Sequence, residues 1–279
     1  MKKFYDSQHG RLVFTGREPT PDFWDGHWQT DNLRRFITTR KNTWITKTTG
    51  RFLPAGCRIL EGGCGRGDKV YALQAQGFDA YGVDYARRTV EAINHYLPEL
   101  RVSWGDVRDL PFEDGFFDGY SSLGVIEHFY NGYDDILAEM CRVLRPGGVL
   151  FVAFPAMSAL RRWKATLGLY LPCGETADPR TDFYQFALDP NRVVRRIEAS
   201  GMALVKQYRL GGVLGLKEET ATLAPIMKWI DDCHSFWAKV LERILDPLMR
   251  PWANHAVLLV FSKPQALPHG GSSAIRQPE

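Results

Sequence analysis

Short apolar runs alternate with amphipathic stretches over the central part of the chain. Runs typical of buried strands lie at 58–61, 79–84, 101–104, 116–121, 148–154, 202–209 and 256–261. Helical spacing of apolar residues predicts helices near 67–76, 86–97, 132–144 and 190–200. Alternation of this kind indicates a mainly parallel sheet with right-handed crossovers and helices on both faces. We therefore predict an α/β fold with a doubly wound, seven-stranded sheet.

The same pattern divides the chain into three parts. It predicts an N-terminal segment with a cap helix over 1–53, the sheet domain over 54–263 and a flexible tail over 264–279. The first 28 residues are rich in proline and aromatic residues and look irregular. Helical spacing then recurs from Leu33 to Phe52 and ends at Pro54.

Two segments, 155–183 and 211–253, interrupt the alternation and are expected to be helical insertions. In the second, apolar residues recur at helical spacing from Ile226 to Leu248, with charged residues on the opposite face. One hypothesis is that this helix forms a lid over the site together with N-terminal aromatic residues. These aromatics are Tyr5, Phe23, Trp24 and Trp28. The alternative is that the apolar stripe packs on the sheet as additional core.

Composition narrows the class of protein. Of the 279 residues, 44% are hydrophobic and 24% charged, as in ordinary globular proteins, and a net charge of +3 gives no reason to expect nucleic acid binding. No apolar run is long enough for a transmembrane helix, and the start lacks a signal-peptide core. The five scattered cysteines predict a reduced, cytoplasmic protein, and no metal site is expected. Arg161–Lys164 beside Leu167–Leu171 leaves three interpretations open: peripheral contact with an anionic membrane, binding of an acidic substrate, and a solvated basic turn with a buried apolar flank.

A glycine-rich loop follows the first strand of this pattern. Arg58–Gly67 reads R-I-L-E-G-G-C-G-R-G, and Asp84 ends the next apolar run. Glycines allow a sharp turn and a close backbone approach, helix-start amides face the ligand, and Asp84 can accept from ribose hydroxyls. The spacing G-x-G-x-G differs from the dinucleotide fingerprint G-x-G-x-x-G/A, because Asp68 stands where the last small residue belongs. Glu61 would repel a pyrophosphate and suits a cationic ligand.

Three later stretches complete the pattern. They are Gly105–Phe112 (G-D-V-R-D-L-P-F), Phe116–Leu123 (F-F-D-G-Y-S-S-L) and Leu144–Leu150 (L-R-P-G-G-V-L). In this order, and after E-x-G-x-G-x-G, they resemble the class I S-adenosylmethionine-dependent methyltransferases of the small-molecule, type 11-like group. The resemblance covers residues 56 to 154, with weaker support to 209. It implies a Rossmann-like methyltransferase fold, S-adenosylmethionine as cofactor and S-adenosylhomocysteine as product.

The resemblance also implies roles for individual residues. Glu61, Gly62, Gly63 and Gly65 would shape the pocket for the methionine part. Asp84 would hold both ribose hydroxyls and Tyr85 would pack against the adenine. Asp106 would accept from the adenine amino group, the Val107 amide would meet a ring nitrogen, and Leu123 would line the sulfonium region.

Methyl transfer from a sulfonium needs no acid, because the leaving group is neutral, and a base is needed only if the acceptor must lose a proton. His128 follows the fourth strand, where an acceptor would approach, and is the candidate catalytic residue. A structural or substrate-positioning role is the alternative for His128. The other histidines, His255 among them, are interpreted as surface or packing residues.

The sequence thus predicts an S-adenosylmethionine-dependent methyltransferase that acts on a small-molecule, glycan or lipid-precursor acceptor. A nicotinamide-dependent oxidoreductase, an RNA or protein methyltransferase and a catalytically silent binding module are the alternatives. The acceptor atom, the pathway and the oligomeric state do not follow from the sequence.

Overall fold

Eleven strands and ten helices make up the described part of the chain in the computed structural model, which describes residues 1–29, 32–39, 43–173, 180, 182–220, 226, 228–229 and 235–265. The strands are β1 (Lys2–Asp6), β2 (Arg11–Thr15), β3 (Arg58–Gly62), β4 (Asp79–Asp84), β5 (Arg101–Trp104), β6 (Phe117–Leu123), β7 (Leu144–Pro155), β8 (Leu171–Pro172), β9 (Phe183–Ala187), β10 (Ala203–Leu210) and β11 (Ala256–Ser262). The helices are α1 (Pro21–His27), α2 (Leu33–Thr38), α3 (Trp44–Thr49), α4 (Asp68–Gln74), α5 (Arg87–Tyr96), α6 (Asp134–Val143), α7 (Ala159–Thr166), α8 (Pro190–Ala199), α9 (Gly212–Glu219) and α10 (Phe236–Ala253), with a 3₁₀ turn at Ile126–His128.

Seven strands form the central sheet in the order β10-β11-β7-β6-β3-β4-β5. Five of them run parallel, β11 is antiparallel to both neighbours, and β10 pairs with β11. Ile59, Leu60 and Phe151 are fully buried because helices cover both faces, as expected for a parallel sheet. The predicted doubly wound, seven-stranded sheet is confirmed.

A second sheet with the order β8-β1-β2-β9 lies outside this pattern. In this sheet the N-terminal hairpin β1–β2 pairs with β9. Leu12 and Phe14 of β2 lie opposite Ala187 and Gln185 of β9. The prediction of an irregular start was therefore wrong, since residues 2–15 form a hairpin and 21–27 a helix. Hairpin side chains Leu12 and Phe14 are buried against Met157, which explains why the strands form there.

The predicted cap helix from Leu33 to Phe52 is two short helices in the structure, α2 and α3. Asn32 caps α2 and Thr43 caps α3 through their side chains, so a helix start lies inside the predicted span. The 155–183 insertion holds α7 and the short strand β8 rather than helix alone. The tail from 266 onward, and Ile230 and Cys233 of the apolar stripe, lie outside the described residues.

Helices α9 and α10 form the described part of the 211–253 insertion. They pack against each other at Gly212 and Gly215, where an added Cβ would meet the α10 backbone at 2.5 and 1.8 Å. Leu160 of α7 and Leu216 of α9 share a small apolar cluster with Ala253. No helix among the described residues combines the length and apolar character needed to cross a bilayer.

The carboxyl ends of β3, β4 and β6 meet at one edge of the central sheet, next to the start of the antiparallel β11. In open α/β sheets this edge holds the ligand. At this edge the glycine loop follows β3, Asp84 and Leu123 are the last residues of β4 and β6, and His255 immediately precedes β11.

Candidate active site

Asp84 ties the glycine loop to the end of β4. Its carboxylate accepts hydrogen bonds from the backbone N–H groups of Gly65 at 2.7 Å and Ala86 at 2.9 Å. The N–H groups of Gly63 and Cys64 donate to the Val83 carbonyl at 2.8 and 3.1 Å. Burial raises the pKa of Asp84, and the hydrogen bonds from the Ala86 and Gly65 amides offset this shift only in part. The carboxylate is thus fixed at the start of α5 with lone pairs left for a ligand.

Gly63 and Gly65 occupy positions in the loop where a side chain would not fit. Both have positive φ, 74° and 52°, and an added Cβ would lie 2.5 Å from Val125 Cγ2 and 2.9 Å from Trp28 Cε2 respectively. The backbone turn therefore requires glycine, and the indole of Trp28 rests directly on the loop.

Two adjoining cavities open above this loop. The first, about 230 Å³, is lined by Pro19, Trp24, Trp28, Gly63, Asp84, Tyr85, Gly105, Asp106, Val107, Arg108, Gly124, Val125, His128 and Phe129. The second, about 340 Å³, is lined by Trp24, His27, Trp28, Gly63, Cys64, Gly65, Arg66, Asp68, Lys69, Leu123, Gly124, Glu127, His128, Ala153, Phe154, Pro155, Tyr184, Gln185, His255 and Ala256. The two share Trp24, Trp28, Gly63, Gly124 and His128, so these residues mark a junction.

The structure distributes the predicted site residues over the two cavities. Asp84, Tyr85, Asp106 and Val107 line the first, Gly65 and Leu123 the second, and Gly63 and His128 both. Glu61 and Gly62 line neither, since the strand end and the Tyr120 ring bury them.

Asp106 is engaged by a neighbour on its own loop. The Arg108 side chain donates to both of its carboxylate oxygens, from 2.6 to 3.1 Å, and the Arg108 N–H donates at 2.9 Å. The side-chain hydrogen bonds from Arg108 hold the pKa of Asp106 below its usual range. Asp106 is thus an ionised acceptor in the wall of the first cavity. Sequence reasoning did not foresee its guanidinium partner.

Glu61 is fully buried beneath the loop. Its carboxylate oxygens make no hydrogen bond to another described residue, and Lys69 Nζ lies 3.6 Å away, an ion-pair distance. Burial raises the pKa of Glu61 to about 7, although Lys69 opposes the shift. A buried carboxyl without hydrogen bonds is costly, so this position favours an incoming donor or cation.

His128 stands at the junction in a defined tautomer. Its Nδ1 lies 2.8 Å from the Tyr184 carbonyl, which can only accept, so Nδ1 carries the proton and Nε2 keeps its lone pair. The rings of Trp24 and Tyr184 pack edge-on at 5.0 and 5.1 Å. Burial lowers the pKa of His128 to about 4. The ring is therefore neutral at physiological pH.

Helix α1 supplies the wall of aromatic residues over the junction. Buried Asp25 accepts from the Thr89 N–H at 2.9 Å and from its hydroxyl at 3.0 Å, which anchors α1 to the start of α5. Trp24 and Trp28 stack with ring centroids 5.6 Å apart. These two tryptophans line both cavities, as the lid hypothesis expects of them. By contrast, no described residue of 211–253 lines either cavity. Helix α10 of this insertion packs on α7 and β10 instead.

Glu127 lies beside His128 at the edge where the sequence predicts that an acceptor approaches, but no role was expected for it. It lines the second cavity and is 2% exposed, and its Oε2 has no hydrogen-bond partner among the described residues. Burial raises the pKa of Glu127 to about 8, so the carboxyl is mostly protonated at pH 7. Its position next to His128 was the signal that could have identified it.

Comparison with known proteins finds a family model that matches the central segment of the chain. Residues 60–152 match the model of a methyltransferase domain. This segment runs from within β3 to within β7 and holds the glycine loop, Asp84, Asp106 and His128.

Individual relatives agree with this match. A probable S-adenosylmethionine-dependent methyltransferase of Mycolicibacterium smegmatis is 34% identical over 101 residues, 36% of this chain and 39% of the relative. A fatty-acid O-methyltransferase of the same species is 36% identical over 102 residues, 33% of this chain and 35% of the relative. The matches thus cover less than two fifths of the length of these curated relatives.

The fold extends further than the sequence match. A TehB-like S-adenosylmethionine-dependent methyltransferase from Corynebacterium glutamicum superposes with a TM-score of 0.52 at 17% identity. The superposition covers 88% of this chain and the whole of that chain. At this identity the likeness shows the Rossmann-like fold alone.

Proposed function

We propose that this chain, whose residues 60–152 match a methyltransferase-domain model, is a class I S-adenosylmethionine-dependent methyltransferase that transfers a methyl group to a small-molecule or lipid-precursor acceptor. The observation that carries the proposal is the junction at Gly63, Gly124 and His128. On one side of this junction the first cavity presents groups suited to a nucleoside. On the other side the second cavity presents apolar and titratable groups suited to an acceptor.

The first cavity would hold the nucleoside part. Asp84 has lone pairs free for ribose hydroxyls, because the two loop amides leave its acceptor capacity incomplete. The Tyr85 ring would pack on the adenine, and its hydroxyl is already fixed by the Pro19 carbonyl at 2.7 Å. Asp106 and the Val107 amide, which also line this cavity, would meet the adenine edge.

The methionine part would lie over the glycine loop. Gly63 and Gly65 present bare backbone there, and the buried Glu61 carboxyl beneath the loop lacks a hydrogen bond. A cationic ammonium near the loop would offset that cost, so these residues fit the cofactor. Leu123 would then border the sulfonium, where an apolar side chain avoids competition by water.

Bound S-adenosylmethionine supplies an electrophilic methyl group whose departure leaves a neutral thioether. The protein therefore accelerates the reaction chiefly by alignment and exclusion of water. Trp24 and Trp28 exclude water from above, and we assign His128 to positioning the acceptor through the lone pair on Nε2. A pKa of about 4 makes His128 a weak proton acceptor, which favours this role over that of a base.

The second cavity would hold the acceptor. Its volume of about 340 Å³ and its mixed walls suit a small molecule or the reactive end of a longer one. The fatty-acid O-methyltransferase among the relatives supports an acceptor of this class. We also propose that the methyltransferase domain spans residues 54–263 and that the protein is cytoplasmic.

Calorimetric titration with S-adenosylhomocysteine and with NAD⁺ tests the cofactor. We expect S-adenosylhomocysteine to bind at micromolar concentration and NAD⁺ not to bind at millimolar concentration. Asp84→Asn should weaken S-adenosylhomocysteine binding at least about tenfold, since the side chain loses its charge and one of its two acceptor oxygens. Asp79→Asn, at the opposite end of the same strand, is the matched control and should bind as the wild type does.

Incubation with methyl-labelled S-adenosylmethionine and fractionated cell extract then tests the reaction, with mass analysis of the labelled product. Label in a low-molecular-weight or lipid fraction supports the proposal. Tight NAD⁺ binding, or label confined to RNA or protein, would replace it with one of the alternatives.

A further inference from the structure

The second cavity, which we call the acceptor cavity, is lined by a second histidine whose ring contacts a carboxylate. His255 precedes β11 and lines this cavity together with Glu127 and His128. Its Nδ1 lies 2.9 Å from Glu218 Oε2 on α9. The His255 side chain is 23% exposed, so the ring is partly open to the cavity and to solvent. This arrangement was not foreseen by its interpretation as a packing histidine.

The backbone of His255 is fixed on both sides. Its N–H donates to the Gly211 carbonyl at 2.9 Å, and its carbonyl accepts from the Ala156 N–H at 2.9 Å and from Arg161 Nη1 at 3.2 Å. Gly211, Ala156 and Arg161 therefore hold the backbone of His255, while Glu218 contacts its ring. Such support restricts the ring to the orientation that Glu218 selects.

Arg161 is the centre of this support. Its side chain is 1% exposed and donates to Glu218 Oε2 at 2.8 Å, Glu219 Oε1 at 3.0 Å and the Ala156 carbonyl at 2.8 Å. A buried cation with two carboxylates adds little net stability compared with apolar packing, so the main effect of these contacts is on geometry. Arg161 fixes the Glu218 carboxylate as well as the backbone next to it.

The tautomer of His255 follows from its partner. Burial opposes ionisation of Glu218, but the hydrogen bond from neutral His255 and the charges of Arg161 and Lys3 act against it, and the pKa of that carboxyl is lowered. An ionised carboxylate only accepts, so Nδ1 of His255 carries the proton. No hydrogen bond joins Nε2 to another described residue, and its lone pair remains available.

The neighbouring titratable groups are less suited to take a proton. His128 donates to a neutral carbonyl, and burial lowers its pKa to about 4. Glu127 is mostly protonated at pH 7, because burial raises its pKa to about 8. A protonated His255 ring would be paired with the Glu218 carboxylate. A protonated His128 ring would instead contact the neutral carbonyl of Tyr184.

We propose that His255, oriented by Glu218, is the general base of the acceptor cavity and that the acceptor is a protic group such as a hydroxyl. The inference rests on the proposed methyl transfer. His255 Nε2 takes the hydroxyl proton as the acceptor oxygen forms its bond to the methyl carbon. The carbon–sulfur bond breaks with its electron pair remaining on sulfur, and the imidazolium is stabilised by Glu218.

Single-turnover transfer of labelled methyl, measured with the extract fraction that the wild type labels, tests the base. His255→Asn keeps an amide donor near Glu218 but has no basic nitrogen, and should lower the rate at least about 100-fold. Affinity for S-adenosylhomocysteine should change less than about twofold. Glu218→Gln should lower the rate about tenfold or more, and Glu218→Asp should restore part of it.

His95→Asn is the matched control, because His95 is exposed on α5 and lines neither cavity. Its rate should stay within about threefold of the wild type. Equal rates for His255→Asn and the wild type would overturn the inference while leaving methyl transfer intact. Failure of the wild type to bind S-adenosylhomocysteine would instead reject the proposed function.

A second measurement does not depend on the acceptor. Nitrogen-15 NMR of ring-labelled histidine at pH 8, with His255→Asn for assignment, reports which ring nitrogen carries the proton. We expect Nδ1–H and a bare Nε2 in His255. A proton on Nε2 would remove the lone pair that the inference requires and would overturn it.

Discussion

Asp84 and Glu61 end neighbouring strands, yet their carboxyl groups meet different surroundings. Two backbone amides contact Asp84, which lines a cavity, whereas Glu61 lies beneath the loop with Lys69 Nζ at 3.6 Å. Desolvation acts on both, but only Glu61 lacks hydrogen bonds, and burial raises its pKa to about 7. Its charge therefore changes within the physiological pH range.

This difference predicts a pH dependence of cofactor binding. Glu61 is mostly protonated at pH 6 and mostly ionised at pH 8, so attraction to the cofactor ammonium should grow as pH rises through 7. Affinity for S-adenosylhomocysteine should increase by up to roughly tenfold over that interval. Glu61→Gln should remove the dependence, as measured by calorimetry at each pH. A wild-type affinity that stays constant from pH 6 to 8 would show that Glu61 does not meet the ammonium.

The sequence indicates some residues of the site and not others for a physical reason. Asp84 and Asp106 stand at fixed distances from strand ends, so local spacing is enough to find them. His255 gains its role from Glu218, 37 positions earlier, and from Arg161 on another helix. Contacts of this kind depend on how the insertions pack, and no short pattern encodes them.

At the scale of elements, α1 and the glycine loop act as one unit. Asp25 fixes α1 to α5, and this brings Trp28 into contact with Gly65. The long buried strands of the sheet were predictable from their apolar runs. The hairpin β1–β2 was not, because its strands are short and its pairing partner β9 lies in a distant insertion.

Gly65→Ala tests the contact between loop and helix. The substitution should weaken S-adenosylhomocysteine binding by at least about tenfold, because the methyl group would lie 2.9 Å from the Trp28 ring and φ is 52°. Gly56→Ala is the control, since Gly56 also has a positive φ, 87°, but no atom lies within 4 Å of the added carbon. Binding by both variants is to be measured by calorimetry beside their thermal unfolding.

Equal losses of affinity in the two variants would attribute the effect to backbone strain alone. Loss in Gly65→Ala with binding retained in Gly56→Ala would support the steric role of Trp28.

At the scale of the whole molecule, buried titratable groups make the free energy of unfolding depend on pH in opposite directions. His128 is kept neutral by burial and so favours the folded state at higher pH. Glu127, with a pKa raised to about 8, favours it at lower pH. The carboxylate of Glu219, whose pKa is lowered to about 2 by Arg161 and Lys3 despite burial, stabilises the fold until the pH falls well below 4.5.

His128→Gln isolates one of these contributions. The pKa of His128 is about 4 in the folded state against about 6.5 when unfolded, so its contribution is present above pH 6.5 and is lost as pH falls towards 4. The wild type should lose about 3 kcal/mol more than the variant between pH 7 and pH 4. Urea unfolding at both pH values measures the difference. Parallel losses in the two proteins would mean that His128 is accessible to protons in the folded state.

The second sheet also imposes an order on events during synthesis. Thr15 and Phe183 are paired neighbours 168 positions apart, so the hairpin leaves the ribosome long before β9 exists. At about 5 to 20 residues per second, the delay is roughly ten to thirty seconds. During this interval the apolar residues Leu12, Val13 and Phe14 have no partner strand on one edge and are open to chaperones or to misassembly. Tyr184, which carries the carbonyl that orients His128, arrives with β9, and the site is therefore completed late in translation.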